Sequence, residues 1–164
     1  MIYSDWRDFL PERGRLRAVG RVLVFTNGCY DLMHPGHLHL LEAARQLGDA
    51  LIVAINTDAS VQANKGPLRP IIPQAERAEV LDGFGFVDYV TFFDAPTPRD
   101  IIAGVLPEIL VKGADWGDDA IVGREEVEAA GGRVVRINLE PGYSTSAILQ
   151  AVVEDRPLRV GGPR

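Results

Sequence analysis

All three histidines of the 164-residue chain lie within residues 34–39, and two of them bracket a Pro-Gly pair in the sequence HPGH. This sequence stands where a helical pattern begins, and a helix N-terminus offers free N–H groups and a positive dipole end to an anion. Gly36 has no side chain, so a nucleotide could lie directly against the backbone there. The spacing predicts a phosphate site flanked by His34 and His37, while His39 points elsewhere on the helix.

Two other interpretations of His34 and His37 are open. They could be capping or surface histidines, or they could share a metal ion with Asp31 or Cys29 as a third ligand. The chain has no HEXXH sequence and no distant histidine or cysteine that would complete a usual zinc ligand set. We therefore expect no metal site built from protein side chains.

The elements that would position these residues are strands alternating with helices. Five short runs are continuously apolar and rich in β-branched residues, which is typical of strands covered on both faces of a parallel sheet. Strands that alternate with helical patterns predict an α/β fold, a Rossmann-like doubly wound sheet of about five parallel strands with helices on both faces. The predicted strands are 21–26, 50–56, 87–93, 108–113 and 133–139.

The chain length is that of one domain. We expect an N-terminal extension at residues 1–20 with a short helix, a domain at 21–153, and a flexible Pro/Gly-rich tail at 154–164. The helical patterns fall at 37–48, 74–83, 96–105, 118–132 and 144–154.

Charge and composition exclude several classes of function. The formal net charge of −6 argues against a nucleic acid as the main partner. The single cysteine excludes an intramolecular disulfide and fits a reducing compartment. No apolar run approaches the roughly 20 residues that span a membrane, and the acidic N-terminus does not resemble a signal peptide. We expect a cytoplasmic protein without a membrane partner.

The segments with chemically useful residues each follow a predicted strand. In a doubly wound sheet, ligands bind beyond the carboxyl ends of the strands, so these segments should meet at one edge. They are 26–37, 56–70, 112–116 and 140–146.

The sequence GCYDLMHPGH at 28–37 resembles the G-x-F-D-x-x-H-x-G-H signature of the cytidylyltransferase-like nucleotidylyltransferases. The resemblance continues through KGPLRP, the ER of QAERAEVL, VKGADW and YSTSAIL, and covers roughly residues 21–150. The phrases AINTDASV and TPRDIIAGVLPEILVKGADW are most similar to the branch that makes ADP-heptose, here in a form without a kinase domain. Tyr30, Ala114 and Ser146 depart from the commoner Phe, Gly and Thr, which leaves the exact substrate open.

The resemblance implies attack by a sugar-phosphate oxygen on the α-phosphorus of a nucleoside triphosphate, with release of pyrophosphate. Because that oxygen is already ionised, catalysis must come from alignment and charge stabilisation rather than from a general base. The catalytic residues implied are His34 and His37, which would donate to phosphate oxygens, and Lys65 in a polar loop, which would grip the acceptor phosphate. Both imidazoles could be protonated beside bound phosphates.

The other implied residues divide between the two substrates. Asp31 would orient the turn or the acceptor hydroxyls, Arg69 would assist Lys65 or form a loop salt bridge, and Arg77 would reach the substrate or pair with an acidic neighbour. Ser144 and Thr145 would cap the last helix in either case. The residues expected to bind the nucleotide are Thr26, Asn27, Gly28, Cys29, Tyr30, Gly36, Lys112, Gly113, Asp115, Ser144 and Thr145.

The expected substrates are ATP and a sugar 1-phosphate, most similar to D-glycero-β-D-manno-heptose 1-phosphate. One alternative is a CTP-dependent enzyme acting on glycerol 3-phosphate, and another is a catalytically silent nucleotide sensor. Mg²⁺ should be bound mainly through the triphosphate. A homodimer is expected because symmetric dimers are the commonest oligomers, with Phe84, Phe86 and Tyr89 as possible apolar contacts.

Overall fold

The computed structural model describes residues 1–113, 121–138 and 142–158. Its strands are β1 (Ile2–Tyr3), β2 (Leu23–Gly28), β3 (Ala50–Asn56), β4 (Tyr89–Phe93), β5 (Ile109–Gly113) and β6 (Arg133–Ile137). In these ranges they form one all-parallel sheet with the order β1-β4-β3-β2-β5-β6.

Helices connect the strands on both sides of this sheet. In chain order they are a 3-10 helix (Trp6–Phe9), α1 (Leu10–Ala18), α2 (Pro35–Arg45), α3 (Asp58–Lys65), α4 (Gln74–Asp82), α5 (Arg99–Val105), α6 (Arg124–Ala129) and α7 (Thr145–Val153).

The α/β fold with a parallel sheet confirms the prediction, but the sheet has six strands rather than about five. The additional strand is β1, in which Ile2 and Tyr3 pair with Val90 and Thr91 of β4. Two residues are too few to show a strand period in the sequence. The N-terminal segment also supplies Phe9, whose side chain is fully buried in the core.

Two hydrophobic cores cover the sheet, one on each face. All seven residues of β3 are buried. Leu51 and Val53 belong to the core beneath α2 and α4, whereas Ile52 belongs to the core that includes α5 and the N-terminal helices. Each fully buried aliphatic side chain stabilises the fold by about 1.5–3 kcal/mol. Since β3 is covered on both sides, apolar residues are favoured on both of its faces. This explains the continuous apolar run in the sequence.

The order of the strands creates a crevice at the carboxyl edge of the sheet. From β2 the chain moves to β3 and β4 on one side, and from β4 it crosses to β5 and β6 on the other side. The carboxyl ends of β2 and β5 therefore lie where the direction of winding reverses, which is where open α/β sheets bind ligands. None of the helices in the described ranges is long and apolar enough to cross a membrane.

Candidate active site

A cleft of about 660 Å³ lies at this edge and is lined by segments that follow five of the strands. The structure brings most of the predicted site residues together there, although they are spread over the chain from position 26 to position 145. Those that line the cleft are Thr26, Asn27, Gly28, Cys29, Tyr30, Asp31, His34, Gly36, His37, Lys65, Arg69, Lys112, Gly113, Ser144 and Thr145.

The two imidazoles of the HPGH sequence stack on each other at the start of α2. His34 is the N-cap residue of α2 and has an extended backbone, with Pro35 at the first helical position. The ring centroids of His34 and His37 are 3.8 Å apart, and the ring planes differ by 20°. The Nδ1 atoms of both rings are buried and have no hydrogen-bond partner among the described residues.

Burial controls the charge of this pair. It lowers the pKa of His34. It lowers the pKa of His37 to about 4, with a further contribution from the nearby His34. Both imidazoles are therefore neutral in the free protein at neutral pH. A bound polyphosphate would favour the protonated forms, since an opposite charge nearby stabilises them.

Tyr30 packs beneath His37 with its backbone in the left-handed region, at a φ of 49°. Its buried ring lies 5.1 Å from the ring of His37. A Cβ atom at Gly28 would come within 3.0 Å of the Tyr30 ring. The glycine expected to bind the nucleotide therefore also makes room for the aromatic ring that supports His37.

A half-buried lysine lies at the floor of the cleft. The ammonium group of Lys112 in β5 donates a hydrogen bond to the side-chain oxygen of Asn27 at the end of β2. No described carboxylate forms an ion pair with Lys112. Burial lowers its pKa to about 8. Next to it, the Thr26 hydroxyl donates to the carbonyl of Val111 at 3.2 Å, which ties β2 to β5 at this level.

The carboxylate of Asp31 is fully buried and organises the loop that follows α3. It accepts a hydrogen bond from Arg69 Nε at 2.6 Å. It also accepts from the backbone N–H groups of Ile71 at 2.9 Å and Ile72 at 2.8 Å. Burial alone would raise the pKa of Asp31, but these hydrogen bonds outweigh it and lower the pKa. Asp31 therefore holds the loop at residues 69–72, where Arg69 forms a salt bridge with it, and the roles expected of both residues toward the acceptor stay predictions.

Lys65 lies at the end of a helix rather than in the expected polar loop. Thr57 caps the start of α3, because its hydroxyl accepts from the N–H of Ser60 at 3.2 Å. The helix ends at Lys65, and Gly66 follows with a φ of 98°. The exposed side chain of Lys65 thus stands at a helix end beside the loop that carries Arg69.

Arg77 does not line the cleft, as expected of a residue that contacts substrate, but is buried behind it. Its guanidinium donates to the carbonyls of Cys29 at 2.5 Å and Ile72 at 2.9 Å. It also donates to the carbonyl of Asn56 at 2.9 Å and pairs with Asp58 at 2.7 Å. The side chain is completely buried, because three backbone segments close over it. Arg77 pairs with Asp58 of α3 rather than with an acidic residue of its own helix.

The N-terminus of α7 closes the opposite wall of the cleft. Ser144 caps this helix, because its hydroxyl accepts from the N–H of Ala147 at 3.0 Å. The hydroxyl of Thr145 donates to the carbonyl of Leu32 at 3.3 Å and joins α7 to the segment before His34. The first turn of α7 thus presents backbone N–H groups to the cleft that also contains the imidazoles.

Asp115 lies outside the described residues. Several residues that line the cleft were not predicted from the sequence, and three of them, Pro96, Thr97 and Pro98, lie in the segment after β4. That segment follows a predicted strand, so the rule that selected the other segments would have selected it too. The missed residues are Leu40, Asn56, Asn64, Phe93, Pro96, Thr97, Pro98, Ile121, Val122, Tyr143 and Ser146.

Within the described ranges, no group of three or more His, Cys, Asp or Glu side chains is placed to hold a metal ion. Asp31, which lines the cleft, already accepts hydrogen bonds from three residues.

Residues 25–151 match the family described as cytidylyltransferase-like. With that match over most of the chain and this cleft at the sheet edge, the chain belongs to the cytidylyltransferase-like family of nucleotidyltransferases. It is 48% identical over 138 residues to the bifunctional protein HldE of Trichlorobacter lovleyi. It is 50% identical over 139 residues to HldE of Citrifermentans bemidjiense.

These alignments cover 84% and 85% of the chain but only 28% of each relative, so the chain spans less than a third of the curated relatives that it matches. Among solved structures, the lipopolysaccharide core biosynthesis protein from Thermoplasma volcanium is similar, with a TM-score of 0.61 and 25% identity. That similarity covers 73% of this chain and 97% of the solved one.

Proposed function

We propose that the protein transfers the AMP group of ATP to D-glycero-β-D-manno-heptose 1-phosphate and releases pyrophosphate. The observation that carries this proposal is the pair of stacked imidazoles, His34 and His37, in a cleft shared with the N-termini of α2 and α7. The bifunctional relatives are about half identical to the chain over the same region, and the solved neighbour is a lipopolysaccharide core biosynthesis protein.

The reaction needs one displacement at phosphorus. An oxygen of the sugar phosphate forms a bond to the α-phosphorus, and the bond from that phosphorus to the oxygen bridging to the β-phosphate breaks. Pyrophosphate leaves with the electron pair. No proton has to be removed from the nucleophile, so alignment and neutralisation of charge supply the catalysis.

The phosphates of ATP would lie between the first turns of α2 and α7, whose free N–H groups attract anions. His34 and His37 would donate hydrogen bonds to phosphate oxygens on which charge develops. Lys112, from the floor of the cleft, would supply a positive charge. Mg²⁺ bound to the triphosphate would neutralise part of its negative charge.

The acceptor phosphate would be held by Lys65 at the end of α3, with Arg69 on the adjoining loop. Two anionic reactants repel each other, so a cation between them lowers the cost of bringing them together. Asp31 keeps Arg69 and its loop in place through a contact of 2.6 Å. The sugar hydroxyls would face the cleft wall formed by the segment after β4.

The test measures pyrophosphate release, with Mg²⁺ present, for each combination of ATP or CTP with heptose 1-phosphate or glycerol 3-phosphate. We expect that only the combination of ATP with heptose 1-phosphate gives turnover. Turnover with CTP would keep the displacement mechanism and overturn the proposed substrates. ATP binding without pyrophosphate from any pair would instead support a nucleotide sensor.

We also propose a homodimer, which light scattering on the purified protein would test. Phe84 and Phe86 stack in parallel with ring centroids 5.3 Å apart and are half-buried against the core beneath α4. Tyr89 packs on Phe9 within the protein. The outer parts of the two phenylalanine rings would be available to a second copy.

A further inference from the structure

Tyr143, which was not predicted as a site residue from the sequence, lies against His34. The ring centroids of Tyr143 and His34 are 5.9 Å apart, and the planes differ by only 18°. His34 also stacks on His37, and His37 contacts Tyr30. The four rings form a column in which two tyrosines enclose the two imidazoles.

Packing holds His34 in this column. An imidazole is commonly oriented by a hydrogen bond from its second nitrogen. The buried Nδ1 of His34 has no such partner on another residue in the described part of the chain. A Cβ atom at Gly36 would stand 3.1 Å from two atoms of the His34 ring and 3.3 Å from the Cβ of Tyr143. The backbone of α2, the His37 ring and the Tyr143 ring therefore define where the imidazole lies.

Tyr143 also connects His34 to the opposite wall of the cleft. It directly precedes Ser144, the N-cap residue of α7. Two residues later in the chain, Thr145 donates to the carbonyl of Leu32, two residues before His34. Movement of the Tyr143 ring would therefore change the position of His34 relative to the N–H groups at the start of α7.

We propose that Tyr143 is a positioning residue whose aromatic ring, not its hydroxyl group, fixes the His34 imidazole relative to the N-terminus of α7 for nucleotidyl transfer. The role rests on the proposed function, because it assumes that His34 and α7 act on the same phosphate chain. Small errors in alignment are costly for such a reaction, since displacement by about 1 Å can reduce the rate by about 100-fold.

The kinetic test compares Tyr143→Phe, which keeps the ring, with Tyr143→Leu, which keeps apolar bulk without a planar ring. We expect Tyr143→Phe to match the unchanged protein. Tyr143→Leu should lower kcat by about 10- to 100-fold, with a smaller change in the KM for ATP. Equal losses in both variants would show that the hydroxyl is required, and unchanged kcat in Tyr143→Leu would show that the ring is not; either result overturns the proposal.

A second measurement does not depend on the choice of substrates. The titration of His34 in the free protein can be followed by NMR, with a His34→Gln variant to assign its signals. Burial lowers the pKa of His34, and loss of the Tyr143 ring would let water reach it. The pKa should therefore rise in Tyr143→Leu and not in Tyr143→Phe. An unchanged titration in a folded Tyr143→Leu protein overturns the proposal even if no turnover is found with any substrate.

Discussion

His34 and His37 stack at 3.8 Å without hydrogen bonds from described residues to their buried Nδ1 atoms. Such an arrangement stabilises the protein little by itself, since unpaired polar atoms are costly to bury. A bound anion would give those rings a partner. At the scale of single residues, we therefore infer that the pair serves a ligand rather than the stability of the fold.

Replacement of His37 tests this arrangement. His37→Ala should lower kcat by on the order of 10²–10³, the effect of losing one donor to a developing negative charge. His39→Ala is the matched control, because His39 lies on the same helix and does not line the cleft. The measurement is pyrophosphate release at saturating substrates. Equal rates for His37→Ala and His39→Ala would remove the catalytic role.

The stability of the free protein should depend on the protonation of His37. Its pKa is lowered from 6.5 to about 4 in the folded chain, so between these pH values the unfolded chain binds more protons. The free energy of unfolding should therefore be largest above pH 6.5 and fall as the pH decreases towards 4. Urea denaturation at several pH values measures this. His37→Gln should show a weaker pH dependence than His39→Gln, while carboxylates such as Asp31 contribute equally to both.

Lys112 should make ATP binding depend on pH in the alkaline range. Burial lowers its pKa to about 8, so the free protein loses this positive charge as the pH rises through 8. ATP binds better to the protonated lysine, and its affinity should decrease between pH 7 and 9. Calorimetric titration of Lys112→Gln should give weaker binding with a smaller pH dependence. The same pH dependence in the variant and the unchanged protein would contradict the prediction.

At the scale of elements, the loop between α3 and α4 depends on one carboxylate. Asp31 holds the Arg69 side chain and the N–H groups of Ile71 and Ile72. Asp31→Ala would remove the partner of both N–H groups, at a cost of up to about 1–3 kcal/mol for each group that water does not reach. Arg69→Met breaks the same ion pair but keeps the N–H bonds, so it should destabilise the protein less.

In kinetics, we expect both variants to raise the KM for the sugar phosphate more than the KM for ATP, because this loop adjoins Lys65. Thermal unfolding and steady-state kinetics on the same preparations distinguish loss of the loop from loss of the whole fold. A larger increase in the KM for ATP than in the KM for the sugar phosphate would show that the loop acts on the nucleotide instead.

The elements themselves were predictable to the extent that their patterns are local. Continuous apolar runs predicted the inner strands because both faces of β3 are buried. The two-residue strand β1 could not be predicted, since its pairing with β4 links residues far apart in the chain. The helix that ends at Lys65 was mistaken for a loop because α3 has only eight residues and few apolar ones.

Site residues were predictable where they directly follow a strand. They were less predictable where their role depends on contacts with distant parts of the folded chain. Arg77 is an arginine in a polar helix pattern, and only the folded chain shows that three carbonyls surround it. Tyr143 was missed because its contact with His34 spans more than 100 residues. Roles that depend on such distant contacts do not appear in residue spacing.

At the scale of the whole molecule, the site is assembled from segments that begin near residue 26 and end near residue 146. Each segment is short, and the parallel sheet holds their ends at one edge. The position of any catalytic group thus depends on the packing of the entire sheet, and substitutions in either hydrophobic core should reduce activity and stability together.

Cys29 is the sole cysteine of the chain, and its half-buried side chain lines the cleft. A thiol-directed reagent would therefore attach a single reporter group in the proposed nucleotide cleft without any engineered substitution. Burial raises the pKa of this thiol, so alkylation should be slow at neutral pH and accelerate in alkaline solution. Saturation with ATP should protect Cys29, and mass spectrometry would count the modified molecules. The protein thus contains its own attachment point for optical or magnetic probes of ligand occupancy.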